Sequence, residues 1–537
     1  MAKRLSLVFA ALSLCVPAWS QAGPQMATFH SAVDDSDQPY AIYVPKPLDP
    51  VRKYPLVIAL HSEDSNHRIT LRRTLGLPPR LGEFEGADLR NFPPAPDIHF
   101  IVACPLARGS IGFRGIPERD VYDVLADVER RYHVDPDRVY LTGASMGGAG
   151  ALRLALTRPD IWAAVAVVCP TPIPDIASLA PNALNLPVRL YQGELDPVVP
   201  ASGTRDWHRR LLDAGAPAEY IEYPGVRHNA WDLAYRDHAV LDWFDQHRRN
   251  FHPAHIRFTT DAYRYSTAYW LRIDGLTPGT QASFGGAWSG GALEVITQNM
   301  DGFTVETPVP RPRPPALITV TIDHVPLRVR SAGTLSFVKS GGGWRAGRYT
   351  PAGKRPGAEG PIAEAVAGRH LYVYGTGGAD IAARAADWSV PTSHVSLKLP
   401  VKADSAVTAA DLATSDLVLF GNAETNSVIA RLAAKLPFAL HAGAADYGLV
   451  FIAPVGAHYV LVNSGLPWWT GADESRRGGD PFAPERRRLL TTFGDYILFR
   501  GSVANVVAEG RFDRNWKLPP DAAARMLATG TITINNQ

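Results

Sequence analysis

The stretch VYLTGASMGGAGAL, residues 139–152, constrains the fold more than any other part of the sequence. A short apolar strand pattern ends in Gly143-x-Ser145-x-Gly147, and a helical pattern begins directly after it. A strand that turns this sharply into a helix needs very small residues two positions before and after the serine. The glycines fit either a tight buried turn or a strained turn that exposes a nucleophile. The flanking strand and helix favour a nucleophile, at the positive end of the helix.

The surrounding sequence alternates short apolar runs with helical patterns. Examples of the runs are YPLVIALHS (residues 54–62), RVYLTGAS (138–145) and LPVRLYQGELD (186–196). Continuous Val/Ile/Leu runs are typical of parallel strands that are covered on both faces. Residues 23–250 are therefore predicted to form an α/β domain with a mostly parallel sheet and helices on both faces.

The remaining segments differ in pattern. Residues 251–340 alternate apolar and polar positions, which predicts a small antiparallel β domain, and residues 341–361 form a Gly/Pro-rich linker. Residues 362–537 return to an α/β pattern of unknown role. Residues 1–22 have the basic start and apolar run of a signal peptide. This run is too short to span a bilayer, so the protein is predicted to be secreted or periplasmic without a membrane anchor.

Two further residues could complete a catalytic site with Ser145. Asp196 ends the run LPVRLYQGELD, just past a predicted strand, and His228 lies just past the next predicted strand. A serine needs an adjacent base and an acid that orients the base, in the chain order Ser, Asp, His. Glu194 is a rival for the acid. Taken singly, Asp196 could be a turn residue and His228 a surface histidine; the ordered trio favours function.

These motifs resemble the secreted α/β-hydrolase esterases. YPLVIALHS, DPDRVYLTGASMGGAGAL, GELDPVVP and YPGVRHNAW resemble feruloyl and acetyl-xylan esterases, polyhydroxybutyrate-depolymerase-like esterases and the catalytic domain of prolyl-oligopeptidase-like enzymes. The resemblance covers about residues 27–250. It implies Ser145 as the nucleophile, His228 as the general base and Asp196 as its partner. It also implies a strand order that separates Cys104 from Cys169, which favours buried free thiols over a disulfide.

Donors for the reaction's oxyanion can also be predicted. The backbone N–H of Met146 should supply one donor, and that of Ser62 or Glu63 should supply the other. The loop reads HSED at residues 61–64, where related families often have His-Gly and small residues. Backbone donors survive this departure, but carboxylates beside a developing negative charge would oppose that charge unless they point to solvent or pair with Arg68 or Arg108.

Substrate contacts are predicted at two positions. Trp231 lies three residues after His228, and Arg108 lies in the loop at 107–115, which should reach the rim of the site. An alternative for Trp231 is that it packs under the histidine loop. Trp468 and Trp469 could stack on carbohydrate if exposed, although buried aromatic residues are the commoner case.

The leading functional hypothesis is a serine ester hydrolase that acts on small-molecule or polymeric esters without a metal or organic cofactor. Its activity should fall where histidine side chains ordinarily become protonated, at about pH 6 to 7. Two alternatives stay open: a prolyl-oligopeptidase-like peptidase, and a non-catalytic exported binding protein. The formal net charge of +2 provides no field for nucleic acid or an anionic membrane. No Cys/His spacing indicates a metal site, and the oligomeric state is not predicted.

Overall fold

The computed structural model describes residues 22–49, 51–63, 65–77, 92, 95–307, 317–389, 396–471 and 490–535. Apart from Ala22, the predicted signal peptide at residues 1–22 lies outside these ranges. Within them, no helix combines the length and the apolar character needed to cross a bilayer. We refer to residues 22–250 as the N-terminal region, to 251–361 as the middle region and to 362–535 as the C-terminal region.

The N-terminal region is built on one eight-stranded sheet. Its strands are β1 (Gly23–Ser31), β2 (Ser36–Val44), β3 (Tyr54–Leu60), β4 (Ile101–Pro105), β5 (Val134–Ala144), β6 (Ala164–Val168), β7 (Val188–Gly193) and β8 (Ala218–Tyr223). They lie in the order β1-β2-β4-β3-β5-β6-β7-β8. Strand β2 is antiparallel to both of its neighbours, and the strands from β4 to β8 pair in parallel. Every residue of β3, β4 and β6 is buried, as their continuous apolar sequences predict.

Helices cover both faces of this sheet. They are α1 (His67–Thr74), α2 (Ile116–Arg131), α3 (Met146–Thr157), α4 (Ala201–Asp213), α5 (Trp231–Ala234) and α6 (Ala239–Asp245). Val124 of α2 and Leu152 of α3 belong to the apolar cluster on one face, and Leu71 of α1 and Phe244 of α6 belong to the cluster on the other. A 3₁₀ segment, Pro174–Asn185, connects β6 to β7.

The two cysteines of the N-terminal region are buried free thiols. Cys104 lies in β4 and Cys169 directly follows β6, and strands β3 and β5 lie between these two strands in the sheet. The strand order therefore keeps the thiols apart, as the resemblance implies.

The middle region contains two five-stranded sheets. Their strands are β9 (His255–Thr260), β10 (Thr267–Ala268), β11 (Leu271–Leu276), β12 (Ala282–Ser289), β13 (Ala292–Gln298), β14 (Met300–Glu306), β15 (Leu317–Ile322), β16 (Val325–Arg330), β17 (Thr334–Ser340) and β18 (Gly343–Ala346). All pairs are antiparallel except β13 with β15, and both sheets contribute to one apolar cluster. Strand β18 and the fully buried side chain of Lys354 lie inside the predicted linker, so this segment is packed.

The C-terminal region contains a seven-stranded sheet and a separate two-stranded one. The strands are β19 (His370–Tyr374), β20 (Val401–Ala403), β21 (Asp416–Phe420), β22 (Phe438–Leu440), β23 (Tyr447–Val455), β24 (His458–Gly465), β25 (Tyr496–Arg500), β26 (Ser502–Gly510) and β27 (Ile532–Ile534). The helices are α7 (Ile362–Ala365), α8 (Ala379–Ser389), α9 (Ala409–Thr414), α10 (Ser427–Leu432) and α11 (Pro520–Leu527). The large sheet has the order β20-β19-β21-β24-β23-β25-β26, with β22 and β27 forming the small one.

Two of the tryptophans of the C-terminal region belong to its core. Trp468 and Trp469 are 2% and 5% exposed, and their rings contact each other edge to face. Trp468 also stacks on Phe420 of β21. These rings are therefore packed in the core, which is the commoner of the two alternatives, and they are not exposed for stacking on carbohydrate.

Candidate active site

The serine predicted as a nucleophile lies on a strained turn between β5 and α3. Ser145 has a φ of 56° and a ψ of −118°, a conformation that side-chain-bearing residues rarely adopt. A Cβ atom at Gly147 would lie 2.3 Å from the carbonyl oxygen of Leu60, and one at Gly143 would lie 2.3 Å from that of Gly147. The turn thus requires glycine at both positions, and it holds Ser145 beside the carboxyl end of β3.

His228 reaches the serine from the loop that follows β8. Its Nε2 atom lies 3.0 Å from the Oγ atom of Ser145. Ser145 is 6% exposed, whereas the histidine side chain keeps 20% of its surface exposed. The two residues follow different strands of one parallel sheet, whose carboxyl ends share an edge.

Asp196 completes a chain of hydrogen bonds. Its Oδ2 atom lies 2.7 Å from Nδ1 of His228. Its Oδ1 atom accepts the backbone N–H groups of Val198 and Val199, both at 2.9 Å. These three hydrogen bonds hold the carboxylate in one orientation. The rival acid, Glu194, instead accepts the backbone N–H of Gly225 at 2.8 Å and stabilises the turn after β8.

The predicted oxyanion donors lie on two adjoining elements. Met146 is the first residue of α3, so its N–H is one of the helix donors without an intrahelical acceptor. In the loop after β3, Ser62 is buried and Glu63 is exposed, while Asp64 lies outside the described residues. The exposed position of Glu63 meets the condition that this carboxylate be solvated.

The ring of His61 holds this loop in place. Its Nδ1 atom lies 2.8 Å from the carbonyl oxygen of Ser62, and its Nε2 atom lies 2.9 Å from that of Leu106. A carbonyl oxygen can only accept, so both contacts are hydrogen bonds only when the ring carries both protons. The ring also meets Phe113 edge to face. The loop after β3 is thereby tied to the loop after β4.

Trp231 is buried beside His228. It is 8% exposed and belongs to the apolar cluster beneath the sheet edge. Its ring meets the ring of His228 edge to face, with the centroids 5.3 Å apart. The guanidinium of Arg73 lies over the indole ring, 4.7 Å from its centroid. The prediction that Trp231 contacts substrate is corrected to one of packing beneath the histidine.

Arg108 is also misplaced by the sequence-based prediction. Its side chain has no exposed surface and forms ion pairs with Asp120 at 2.6 Å and Asp34 at 2.7 Å. It donates further hydrogen bonds to the hydroxyl of Ser31 at 2.6 Å and the backbone carbonyl of Ser396 at 3.1 Å. A guanidinium engaged in this way cannot reach a substrate. Its partners explain the difference, because they come from distant positions along the chain.

Cys169 borders the chain of hydrogen bonds. Its thiol donates to the backbone carbonyl of His228 at 3.4 Å. Donor atoms of Cys169, Asp196 and His228 all lie within 4.8 Å of one another, so these are the described residues that could together hold a metal ion. Asp196 and His228 are already joined by a direct hydrogen bond.

One polar neighbour of Asp196, Gln192, was not predicted from the sequence. Gln192, at the end of β7, is fully buried, and its Nε2 atom lies 2.9 Å from Oδ2 of Asp196. The available signal was a single polar residue at the end of the apolar run VRLYQG.

Comparisons with known proteins concern mainly this region. Residues 117–237 match the dienelactone hydrolase family. An 88-residue stretch is 41% identical to an esterase candidate, NocK, of Nocardia uniformis subsp. tsuyamanensis, covering 16% of this chain and 24% of that protein. A 100-residue stretch is 29% identical to Cutinase 1 of Thermobifida cellulosilytica, covering 19% of this chain and 36% of that protein. The chain thus spans about a quarter to a third of the length of these relatives.

Solved structures give a weaker likeness. A thermostable esterase has a TM-score of 0.34 and 22% identity, over 42% of this chain and 63% of that one. A ferulic acid esterase has a TM-score of 0.34 and 19% identity, over 42% of this chain and 98% of that one. These two likenesses add nothing to the identification. By its sheet and its family match, the N-terminal region has the α/β-hydrolase fold, with relatives named as esterases and cutinases.

Proposed function

We propose that this protein is a serine hydrolase of carboxylic esters that acts through an acyl-enzyme intermediate. One observation carries the proposal: an unbroken chain of contacts from Ser145 Oγ to His228 Nε2 at 3.0 Å, and from His228 Nδ1 to Asp196 Oδ2 at 2.7 Å. A serine activated by a histidine that a carboxylate orients is the general arrangement for acyl transfer.

The reaction follows from these contacts. Ser145 Oγ attacks the ester carbonyl carbon while His228 Nε2 accepts the hydroxyl proton. The histidine then donates this proton to the leaving alcohol, and the acyl group remains on the serine. A water molecule, deprotonated by the same nitrogen, attacks the acyl carbon; the bond to Ser145 Oγ breaks, the histidine returns the proton to that oxygen, and the acid is released. Asp196 keeps the Nδ1 proton in place throughout and stabilises the imidazolium.

Negative charge on the carbonyl oxygen needs two donors. We assign them to the backbone N–H of Met146 and to that of Ser62 or Glu63, because both segments border the serine. Loss of one such donor ordinarily reduces kcat by about 10²- to 10³-fold. The packing of His61 against two loops supports a fixed position for the second donor.

The substrate class is proposed more broadly than the reaction. The family match and the relatives named as esterases and cutinases favour carboxylic esters, either small molecules or polymers. Feruloyl or acetyl esters of plant cell walls, and polyesters, are the compounds to test first. The basic and apolar start of the sequence supports export from the cell.

The proposal is tested by replacing Ser145 with alanine and measuring hydrolysis of short p-nitrophenyl esters. We expect turnover to disappear while the far-UV circular dichroism and the melting temperature stay at wild-type values. Glu194→Gln, which alters the rival acid, is the control and should retain turnover. Wild-type turnover in a purified Ser145→Ala protein would refute the assignment. An inactive wild-type protein would favour the non-catalytic alternative.

A further inference from the structure

We infer that Gln192 is a positioning residue for the catalytic acid, and that Thr204 holds Gln192 in its working orientation. This inference rests on the proposed function of Asp196 and His228. Neither residue touches the serine or faces solvent: Gln192 is 0% exposed and Thr204 is 1% exposed. Their effect therefore has to pass through Asp196.

The amide of Gln192 is fully engaged. Its Nε2 atom donates to Oδ2 of Asp196 at 2.9 Å and to the backbone carbonyl of Val199 at 3.0 Å. Its Oε1 atom accepts the hydroxyl of Thr204 at 2.8 Å. Because a carboxylate and a carbonyl can only accept, the nitrogen must be the atom that faces them. A flipped amide would place its oxygen against the carboxylate.

The carboxylate of Asp196 is thereby saturated. An ionised carboxylate offers about four lone-pair sites, and four donors occupy them here. Val198 and Val199 donate to Oδ1, while Gln192 and His228 donate to Oδ2. Gln192 and His228 thus share one oxygen. The amide fixes that oxygen toward the imidazole and neutralises part of its charge.

Removal of the amide donor should have two separable effects. The carboxylate loses one orienting contact, so the histidine is held less well and kcat falls. The remaining charge on Oδ2 attracts the imidazolium more strongly, so the acid limb of the kcat/KM profile moves to higher pH. Because Gln192 is buried away from solvent, KM should change little.

The test compares Gln192→Leu with wild type on a p-nitrophenyl ester across the pH profile. We expect kcat on the plateau to fall by about tenfold, with KM within about twofold, as loss of one hydrogen bond to a charged group would produce. The midpoint of the acid limb should rise by about half a pH unit or more. Gln38→Leu is the matched control, since Gln38 is also buried but bonds to Ser36 in β2, near the opposite edge of the sheet from β7. It should leave both quantities unchanged.

A second pair of variants covers the case in which Gln192→Leu does not fold. Thr204→Val removes the hydroxyl at nearly constant shape, and Thr204→Ser retains it. We expect Thr204→Val to move the acid limb in the same direction by a smaller amount, and Thr204→Ser to match wild type. An unchanged limb and kcat in both Gln192→Leu and Thr204→Val would overturn the inference, as would an equal shift in Gln38→Leu. Where Gln192→Leu does not fold, an unshifted Thr204→Val alone overturns it.

Failure of the inference differs from failure of the proposed function. If Ser145 is not the nucleophile, wild-type turnover survives Ser145→Ala. If only the inference is wrong, Ser145→Ala is inactive while the profiles of the Gln192 and Thr204 variants coincide with wild type.

Discussion

The Ser145–His228–Asp196 chain and the cluster around Arg108 are both buried polar networks of the N-terminal region. They differ in whether the network is closed to solvent. All five N–H donors of Arg108 have acceptors, on Asp120, Asp34, Ser31 and Ser396, and none of the side chain is exposed. The Ser145–His228–Asp196 chain instead ends in a serine with a strained backbone and a histidine with 20% of its side chain exposed. A network closed at every atom holds elements together, whereas one left open at a nucleophile can react with a ligand.

One partner of Arg108, Ser396, lies outside the N-terminal region. This residue belongs to the C-terminal region, and its N–H also donates to the carbonyl of Arg108 at 3.1 Å. Arg108 therefore joins two regions that are far apart in sequence. Breaking the Arg108 cluster should reduce stability with little effect on the turnover of each folded molecule. Breaking the Ser145–His228–Asp196 chain should abolish the proposed turnover with little effect on stability.

The largest effect is expected from Asp196→Asn. The asparagine cannot stabilise an imidazolium and can favour the wrong tautomer of His228, so kcat should fall by about 10³- to 10⁴-fold. The unfolding midpoint should change little. Steady-state kinetics and urea denaturation measure the two quantities, with Glu194→Gln as the control. A loss of activity that merely parallels a loss of folded protein would remove the distinction between the two networks.

Arg108→Met should have the largest effect on stability. It leaves the carboxylates of Asp34 and Asp120 buried without their cation, and the free energy of unfolding should fall by about 3–5 kcal/mol. Arg209→Met is the control, because Arg209 pairs with Asp206 at the exposed surface and should contribute less than about 1 kcal/mol. Denaturant titration separates them. Equal stability of the two variants would contradict the assigned role.

A smaller loss of stability is expected where the middle region meets α2. The hydroxyl of Tyr265 lies 2.8 Å from both carboxylate oxygens of Glu118, which is 2% exposed. Tyr265→Phe should reduce the free energy of unfolding by about 1.5–3 kcal/mol, because a buried carboxylate loses a hydrogen bond. Tyr122→Phe is a matched control, since its buried hydroxyl has no hydrogen-bond partner among the described residues. That variant should be neutral or slightly stabilising, and a reversed order would count against this account.

The smallest effect is a dependence of stability on pH. Burial, with a further contribution from the charge of Glu364, raises the pKa of Glu359 to about 8, although the N–H groups of Tyr263 and Arg264 oppose the shift. In an unfolded chain a glutamate has a pKa of about 4.3. Between these values the folded protein binds more protons, so stability should fall as pH rises from about 4.3 to 8.

The slope contributed by one group is at most about 1.4 kcal/mol per pH unit. Urea titrations from pH 5 to 9 on wild type and Glu359→Gln measure it. The variant should be less stable at low pH, where a glutamine amide faces backbone donors, but should lack this part of the slope. An identical slope in both proteins would exclude Glu359 as its source.

Sequence alone was sufficient for the local elements. The strand pattern predicted β3, β5 and β7, and the glycines around Ser145 predicted the strained turn, because both depend on residues adjacent in the chain. The predicted site residues Ser145, Asp196 and His228 lie together because all three follow strands of one parallel sheet.

Side chains whose partners are distant in sequence were not predictable. Arg108 turns inward through a backbone with positive φ at Ala107 and Arg108, toward carboxylates at positions 34 and 120. The sequence around residue 108 does not predict which carboxylates pair with Arg108. Gln192 was missed for a similar reason, because its role depends on Thr204 twelve residues later. From the sequence, Trp231 could equally line a pocket or pack beneath the histidine loop. Its burial and its contact with the His228 ring, which favour packing, are visible only in the structure.

The central claim is tested most directly by labelling the protein with a fluorophosphonate and measuring the intact mass. Reaction requires an activated serine, so wild type should gain one adduct, and peptide mapping should place it on Ser145. Asp196→Asn should label far more slowly, and Ser145→Ala should not label. An adduct on another residue, or a wild-type protein that stays unlabelled while folded, would contradict the account.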